Sequence, residues 1–210
     1  MRYFGNPTKA GNAAMDAGQL CAISTPKQSN EIMPGWHWCA DNGCFGKGYP
    51  GDDAYMLWLA SKANLAGTCY FATAPDVIGD AAATLTRSAP FLPRIRALGY
   101  RAALVAQDGL EDLTHLIDWD SFDVLFIGGS TDWKLSAAAA GLVAEAKQRG
   151  KWVHMGRVNS RKRMRYAESI GVDSCDGTLL TYGPDLYVPK ILAWLDELLT
   201  NPPQQLALAA

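Results

Sequence analysis

Six apolar, strand-like runs along this chain each end in a short polar signature, and this alternation restricts the fold more than any other feature. The runs are Trp36–Ala40 into Asp41-Asn42-Gly43, Tyr70–Ala74 into Pro75-Asp76, and Ala102–Ala106 into Gln107-Asp108-Gly109. They continue with Val124–Ile127 into Gly128-Gly129-Ser130, Trp152–Met155 into Gly156-Arg157, and Gly171–Cys175 into Asp176-Gly177-Thr178. Helix-like segments separate them, the pattern of βα units and a parallel sheet. Parallel α/β folds gather their chemistry at the carboxyl ends of strands, so neighbouring strands would turn all six signatures towards one pocket.

Leu20–Ser24 reads as the first strand, and Leu179–Tyr182 as a weak eighth. Asp52–Ala66 has helical spacing behind an Asp52 cap, while Asp80–Leu98 is helical but broken by Pro90 and Pro93. Lys134–Arg149 is a long helix closed by Gly150, Ser160–Ile170 a capped one, and Tyr187–Leu199 a final amphipathic one. The expectation is α/β: a compact (β/α)8 TIM-barrel-like fold, allowed to be abbreviated. An open doubly wound sheet is the competitor, but no Gly-x-Gly-x-x-Gly loop follows the first strands. One domain over residues 1–200 and a flexible tail over 201–210 complete the reading.

A chain of 210 residues suits a single α/β domain, and 49% apolar with 19% charged residues describes a globular protein. No run approaches a membrane span, and the N-terminus lacks the apolar core of a signal peptide, which makes the cytoplasm the default expectation. The five cysteines are scattered without a Cys-x-x-Cys pair, and the three histidines lie far apart, so no metal site is expected. No cofactor motif stands out. Net charge is −2, yet Arg157, Arg161, Lys162, Arg163 and Arg165 cluster just after one strand end. Such a cluster is a solvated helix face or, at a pocket rim, a phosphate contact.

Asp41 and Asp176 each follow an apolar run directly, with Gly within two residues. Each alone serves equally well as a helix cap. Together they are the equipment for glycosidic chemistry, one attacking the sugar carbon and the other moving the proton. Asp76 and Gln107 suit the amino-pyrimidinone edge of a purine, since a carboxylate accepts two N–H bonds and a carboxamide both donates and accepts. Gly128 and Gly129 would add backbone N–H donors, and Met155 a flat apolar contact.

In this order the signatures resemble those of the tRNA-guanine transglycosylase superfamily. That family's strand ends read Asp-Ser-Gly-Gly-Phe, an Asp, Val-Gln-Gly, Gly-Gly-Leu, Met-Gly-Val and Gly-Ile-Asp-x-Phe-Asp. Here they read Asp41-Asn42-Gly43-Cys44-Phe45, Asp76, Val105-Ala106-Gln107, Gly128-Gly129-Ser130, Met155-Gly156-Arg157 and Gly171-Val172-Asp173-Ser174-Cys175-Asp176. The match spans roughly residues 37 to 178. The resemblance implies that Asp176 is the nucleophile at C1′ and Asp41 the general acid/base. It also implies that Asp76, Gln107, Gly128, Gly129, Ser130, Met155 and Gly156 form the base pocket.

The family's tRNA-acting members carry a zinc subdomain after the nucleophile, whereas this chain has no Cys after Cys175. It is more similar to the short phage and bacterial branch that inserts 7-deazaguanines into DNA. That likeness implies a DNA partner held by Arg157, Arg161, Lys162, Arg163 and Arg165, and a 7-deazaguanine base with the cyano form favoured over aminomethyl. For a phage-encoded enzyme the compartment would be the host cytoplasm. Base exchange or hydrolysis on free nucleosides, nucleotides or tRNA stays open, as does a non-catalytic deazapurine- or nucleic-acid-binding subunit.

Overall fold

The computed structural model describes residues 1–46 and 48–206. Eight parallel strands close into a barrel in sequence order. They are β1 (Arg2–Gly5), β2 (Cys21–Ser24), β3 (Trp38–Ala40), β4 (Cys69–Thr73), β5 (Ala102–Ala106), β6 (Val124–Ile127), β7 (Trp152–Met155) and β8 (Ser174–Asp176). Helices cover the outside: α1 (Lys9–Asp16), α2 (Asp52–Ser61), α3 (Ala81–Ser88), α4 (Phe91–Ala97) and α5 (Thr131–Lys134). α6 (Ala137–Gln148), α7 (Arg161–Ser169), α8 (Leu179–Tyr182) and α9 (Pro184–Thr200) follow. This is a TIM-barrel-like α/β fold, and its strands are complete. The abbreviation falls on the helices: β2 and β3 are joined without one, and β5 is followed only by 3₁₀ turns.

Two expectations about strands are corrected. The first strand is β1, Arg2–Gly5, ahead of the strand at Leu20–Ser24, and it closes the barrel on β8 by pairing Arg2 with Ser174 and Phe4 with Asp176. Leu179–Tyr182 is instead the short helix α8, with Leu180 buried and Tyr182 at 83% exposure. Leu180 lies over β1, where a Cβ at Gly5 would come within 2.5 Å of its Cδ1, so a side chain at that position would displace Leu180. Elsewhere the proline-broken segment splits into α3 and α4 as expected. Asp52 opens α2 rather than capping it; Gly51 holds the cap position.

Side chains alternate along each strand, one set into the barrel and the next towards the helices. The inner set includes Phe4, Cys39, Phe71, Val105 and Phe126. The outer set, with Ile127, Met155 and Cys175 among it, joins the helices in the larger core. Between β3 and β4 the register steps from Trp38↔Cys69 to Ala40↔Ala72, one residue more on β4. That bulge lets Tyr70 and Phe71 both join the inner cluster. Above this aromatic layer the barrel mouth is open at the carboxyl ends of the strands.

Residues 201–206 run back along α7, where the Leu206 N–H donates to Ser169 O. Residues 207–210 of the expected tail lie outside the described residues. Among the described residues no helix is long and apolar enough to cross a membrane.

Candidate active site

A cavity of about 210 Å³ opens at this mouth. Asp41, Asp76, Gln107, Gly128, Gly156, Arg157 and Asp176 all line it, from the ends of six strands or the turns after them, with Gly156 and Arg157 sharing the β7 turn. Thr73, Val105 and Phe126 also reach it from the strands. The six sequence signatures therefore meet in one place, as parallel barrel topology requires.

Asp176, at the end of β8, is held at both oxygens. The Arg157 backbone N–H donates to Oδ1 at 2.8 Å, and His154 Nε2 lies 3.0 Å from Oδ2. Burial works to raise this carboxyl. The His154 hydrogen bond, then the Arg157 N–H and the Lys134 charge, outweigh it and hold Asp176 below the ordinary carboxylate range. Asp41, after β3, is driven the other way. Burial pushes it up to about 7; the Gly43 N–H, 2.7 Å from Oδ1, opposes this, and the negative charges of Asp176 and Asp76 add to it. One cavity thus contains a carboxylate kept ionised and a carboxyl that holds its proton near neutrality.

Asp76 and Gln107 are brought together, but as partners of each other. Gln107 Nε2 donates to Asp76 Oδ2 at 2.6 Å, and Gln107 Oε1 accepts from the Gly79 N–H at 3.1 Å. Asn42 Nδ2 donates to Asp76 Oδ1 at 2.9 Å and to Ala74 O at 2.8 Å, which ties the β3 turn to the β4 turn. Each Asp76 oxygen keeps one lone pair, and Gln107 one N–H, for a ligand. Thr73 Oγ1 adds a buried hydroxyl at the cavity wall with no hydrogen-bond partner among the described residues.

The expected donors at Gly128 and Gly129 are not available, because both N–H groups bond to Ala106 O, at 2.9 and 3.1 Å. Their small size matters instead: a Cβ at Gly128 would come within 2.6 Å of Val105 Cγ1, closing the cavity wall. Ser130 does not line the cavity. Its hydroxyl caps α5 and donates to Asp108 Oδ1 at 2.5 Å, while its N–H donates to Oδ2. The Asp108 carboxylate stands beside Ser130 with both oxygens engaged. Burial opposes its charge, but the Ser130 hydrogen bonds keep Asp108 below its usual range.

Met155 faces away from the cavity. Period-two alternation sends its neighbours His154 and Gly156 inward, leaving Met155 in the outer core with Ile127 and Cys175. Arg157 takes a place at the cavity wall instead. It has φ of 61° and donates through its guanidinium to Gly128 O and Gly129 O, with Cζ 4.1 Å from the Phe45 ring centre.

The remaining basic residues lie on α7 and do not line the cavity. Arg161 and Arg165 both pair with Glu197 on α9, which corrects their expected phosphate role: the helix–helix contact engages them. Lys162 is exposed and Arg163 half-buried, and neither has an ion pair among the described residues. Asp173 also proves structural, binding Lys147 at 2.7 Å and the Val153 N–H at 2.8 Å below the barrel.

Sequence reasoning passed over His154, Ser174 and Lys134. Each was embedded in an apolar run or a helix, and only the inward alternation from Gly156 and Asp176 marks the first two. Lys134 is buried on α5 with Nζ donating to Gly156 O at 2.6 Å; burial, then the charge of Arg157, pulls it down to about 7. Among the described residues no group of three or more His, Cys, Asp or Glu side chains is placed to hold a metal ion.

No family model and no curated protein matches the sequence. Among solved structures, the chain is similar to a chain of the Amycolatopsis orientalis BexX/CysO complex, with TM-score 0.59 over 98% of this chain and 94% of that one. At 14% identity that likeness is one of fold. The conclusion from fold and comparison together is a closed, eight-stranded parallel barrel with its candidate site at the carboxyl ends of the strands.

Proposed function

We propose that the protein is a base-exchange transglycosylase that replaces guanine in DNA with a 7-deazaguanine through a covalent Asp176–deoxyribose intermediate. The observation that carries this reading is the opposed pair in one cavity, Asp176 held ionised and Asp41 raised to about 7. Environments that push two acids apart assign their roles. An Asp176 oxygen attacks C1′ as the C1′–N9 bond breaks, and the Asp41 proton goes to the departing guanine. Asp41, now a carboxylate, takes the N9 proton of the incoming base. That base forms the new C1′–N bond as the Asp176 ester breaks. Two inversions at one carbon retain configuration.

The free lone pairs of Asp76, the remaining Gln107 N–H and the Thr73 hydroxyl suit the polar edge of a guanine-like base. The Arg157 guanidinium, lying on the carbonyls of Gly128 and Gly129, favours a neutral cyano substituent over a cationic aminomethyl one. Extrusion of guanine from a duplex costs a few kcal/mol, and Arg157, Lys162 and Arg163 are the cations left to hold the strand.

The pairing of Arg161 and Arg165 with Glu197 favours a second reading, exchange on a free nucleoside. Incubation with 7-cyano-7-deazaguanine and DNA, tRNA or deoxyguanosine, followed by digestion and mass analysis, separates the two. Incorporation into DNA that weakens steeply with salt supports the first reading. Incorporation into deoxyguanosine alone supports the second, and no incorporation in any substrate refutes base exchange.

A further inference from the structure

Below the cavity floor, Ser174 and His154 link Trp152 to Asp176 through the barrel interior. His154 is fully buried, with Phe4, Phe71 and Phe126 ring centres 5.7, 4.9 and 4.6 Å from its own. A cage of three phenylalanines gains nothing from an imidazole unless both ring nitrogens are bonded. Here they are. On the paired strands β7 and β8, His154 stands directly opposite Ser174, placing Nδ1 2.9 Å from Ser174 Oγ, while Nε2 meets Asp176 Oδ2 at 3.0 Å.

The tautomer follows from the partners at both ring nitrogens. Trp152 Nε1 lies 2.9 Å from Ser174 Oγ, and an indole can only donate. Ser174 therefore accepts from Trp152 with one lone pair and keeps its own hydrogen for His154 Nδ1, because the Asp176 carboxylate, which can only accept, claims the ring hydrogen on Nε2. The ring hydrogen then sits on Nε2 and is donated to Asp176. With the Arg157 N–H on Oδ1, the carboxylate is fixed at both oxygens.

We infer that His154 is a positioning residue for Asp176, its Nε2–H held towards the carboxylate with Ser174 and Trp152 behind it, so that the carboxylate is oriented before substrate arrives. The catalytic consequence rests on the base-exchange reading; the tautomer does not. Orientation fixed in advance acts on the chemical step more than on ligand affinity.

Two measurements test it, and they fail separately. Long-range ¹H–¹⁵N spectra of the labelled protein report the tautomer of each of its three histidines, with His154 assigned by its loss in H154Q. An Nε2–H signature is expected; an Nδ1–H signature overturns the relay whatever reaction the protein performs. Adduct formation with guanine-containing DNA is then compared in His154→Phe, which fills the cage without a donor, and His154→Gln, which keeps an N–H near the Nε2 position. Loss of a hydrogen bond to a charged group predicts adduct formation slowed roughly 10- to 100-fold in H154F, with the KM for the base within about twofold. H154Q should recover most of that rate. Equal rates in H154F and wild type, or equal losses in both variants, overturn the positioning role. If wild type forms no adduct, the base-exchange reading fails and the spectra alone decide the relay.

Discussion

Arg157 donates its backbone N–H to Asp176 Oδ1 across 2.8 Å, and it does so from a left-handed backbone with φ of 61°. A residue with a Cβ is disfavoured there by roughly 1–2 kcal/mol. The conformation turns one residue to two tasks: its N–H fixes the acid at the end of β8, while its guanidinium spans to Gly128, Gly129 and Phe45.

Arg157→Gly and Arg157→Ala both remove the guanidinium, but only glycine removes the backbone strain. The glycine variant should unfold at higher urea than the alanine variant, by about 1 kcal/mol. Both should lose preference for the cyano over the aminomethyl base in a competition for incorporation. Equal stability of the two variants would show that the left-handed backbone is unstrained.

Asp41 should make stability depend on pH in a definite direction. Burial raises its carboxyl from 3.8 to about 7, so the folded protein keeps a proton that the unfolded chain releases. The stabilisation is full below about 4 and is lost as pH rises towards 7. Asp41→Asn cannot ionise and keeps it. The variant should match wild type near pH 4 and exceed it by on the order of 2 kcal/mol at pH 8, discounted for water in the cavity. Urea unfolding at the two values measures this. For the same reason adduct formation in the wild type should fall as pH rises above about 7, where the acid has lost its proton.

Met155→Leu tests the outward orientation of that residue. A volume-conserving change in the outer core should cost less than about 1.5 kcal/mol and leave the KM for the base unchanged. A large rise in KM with stability intact would place the side chain against the ligand after all.

How far the sequence could be read follows from the period of two. Six strand ends were legible because each apolar run stops at a polar group, and Asp41, Asp76, Gln107, Gly128, Gly156 and Asp176 do share one cavity. β1 was not legible. Its four residues precede any helix signal, and only pairing of Phe4 with Asp176 makes them a barrel strand. His154 is hidden inside an apolar run whose alternate positions face opposite sides of the barrel wall. Hydrogen-bond engagement was invisible too: nothing local says that the Gly129 N–H is taken by Ala106 O, or that Arg161 and Arg165 answer Glu197 across 32 residues or more.

The central claim is that Asp176 forms the covalent bond to the sugar. Trapping the protein on guanine-containing DNA without an incoming base, then digesting and mapping the modified peptide by mass, tests it most directly. The account predicts a deoxyribose ester on Asp176, absent in Asp176→Ala and formed more slowly in Asp41→Asn. An adduct mapped to any other residue, or one that persists in Asp176→Ala, would contradict it.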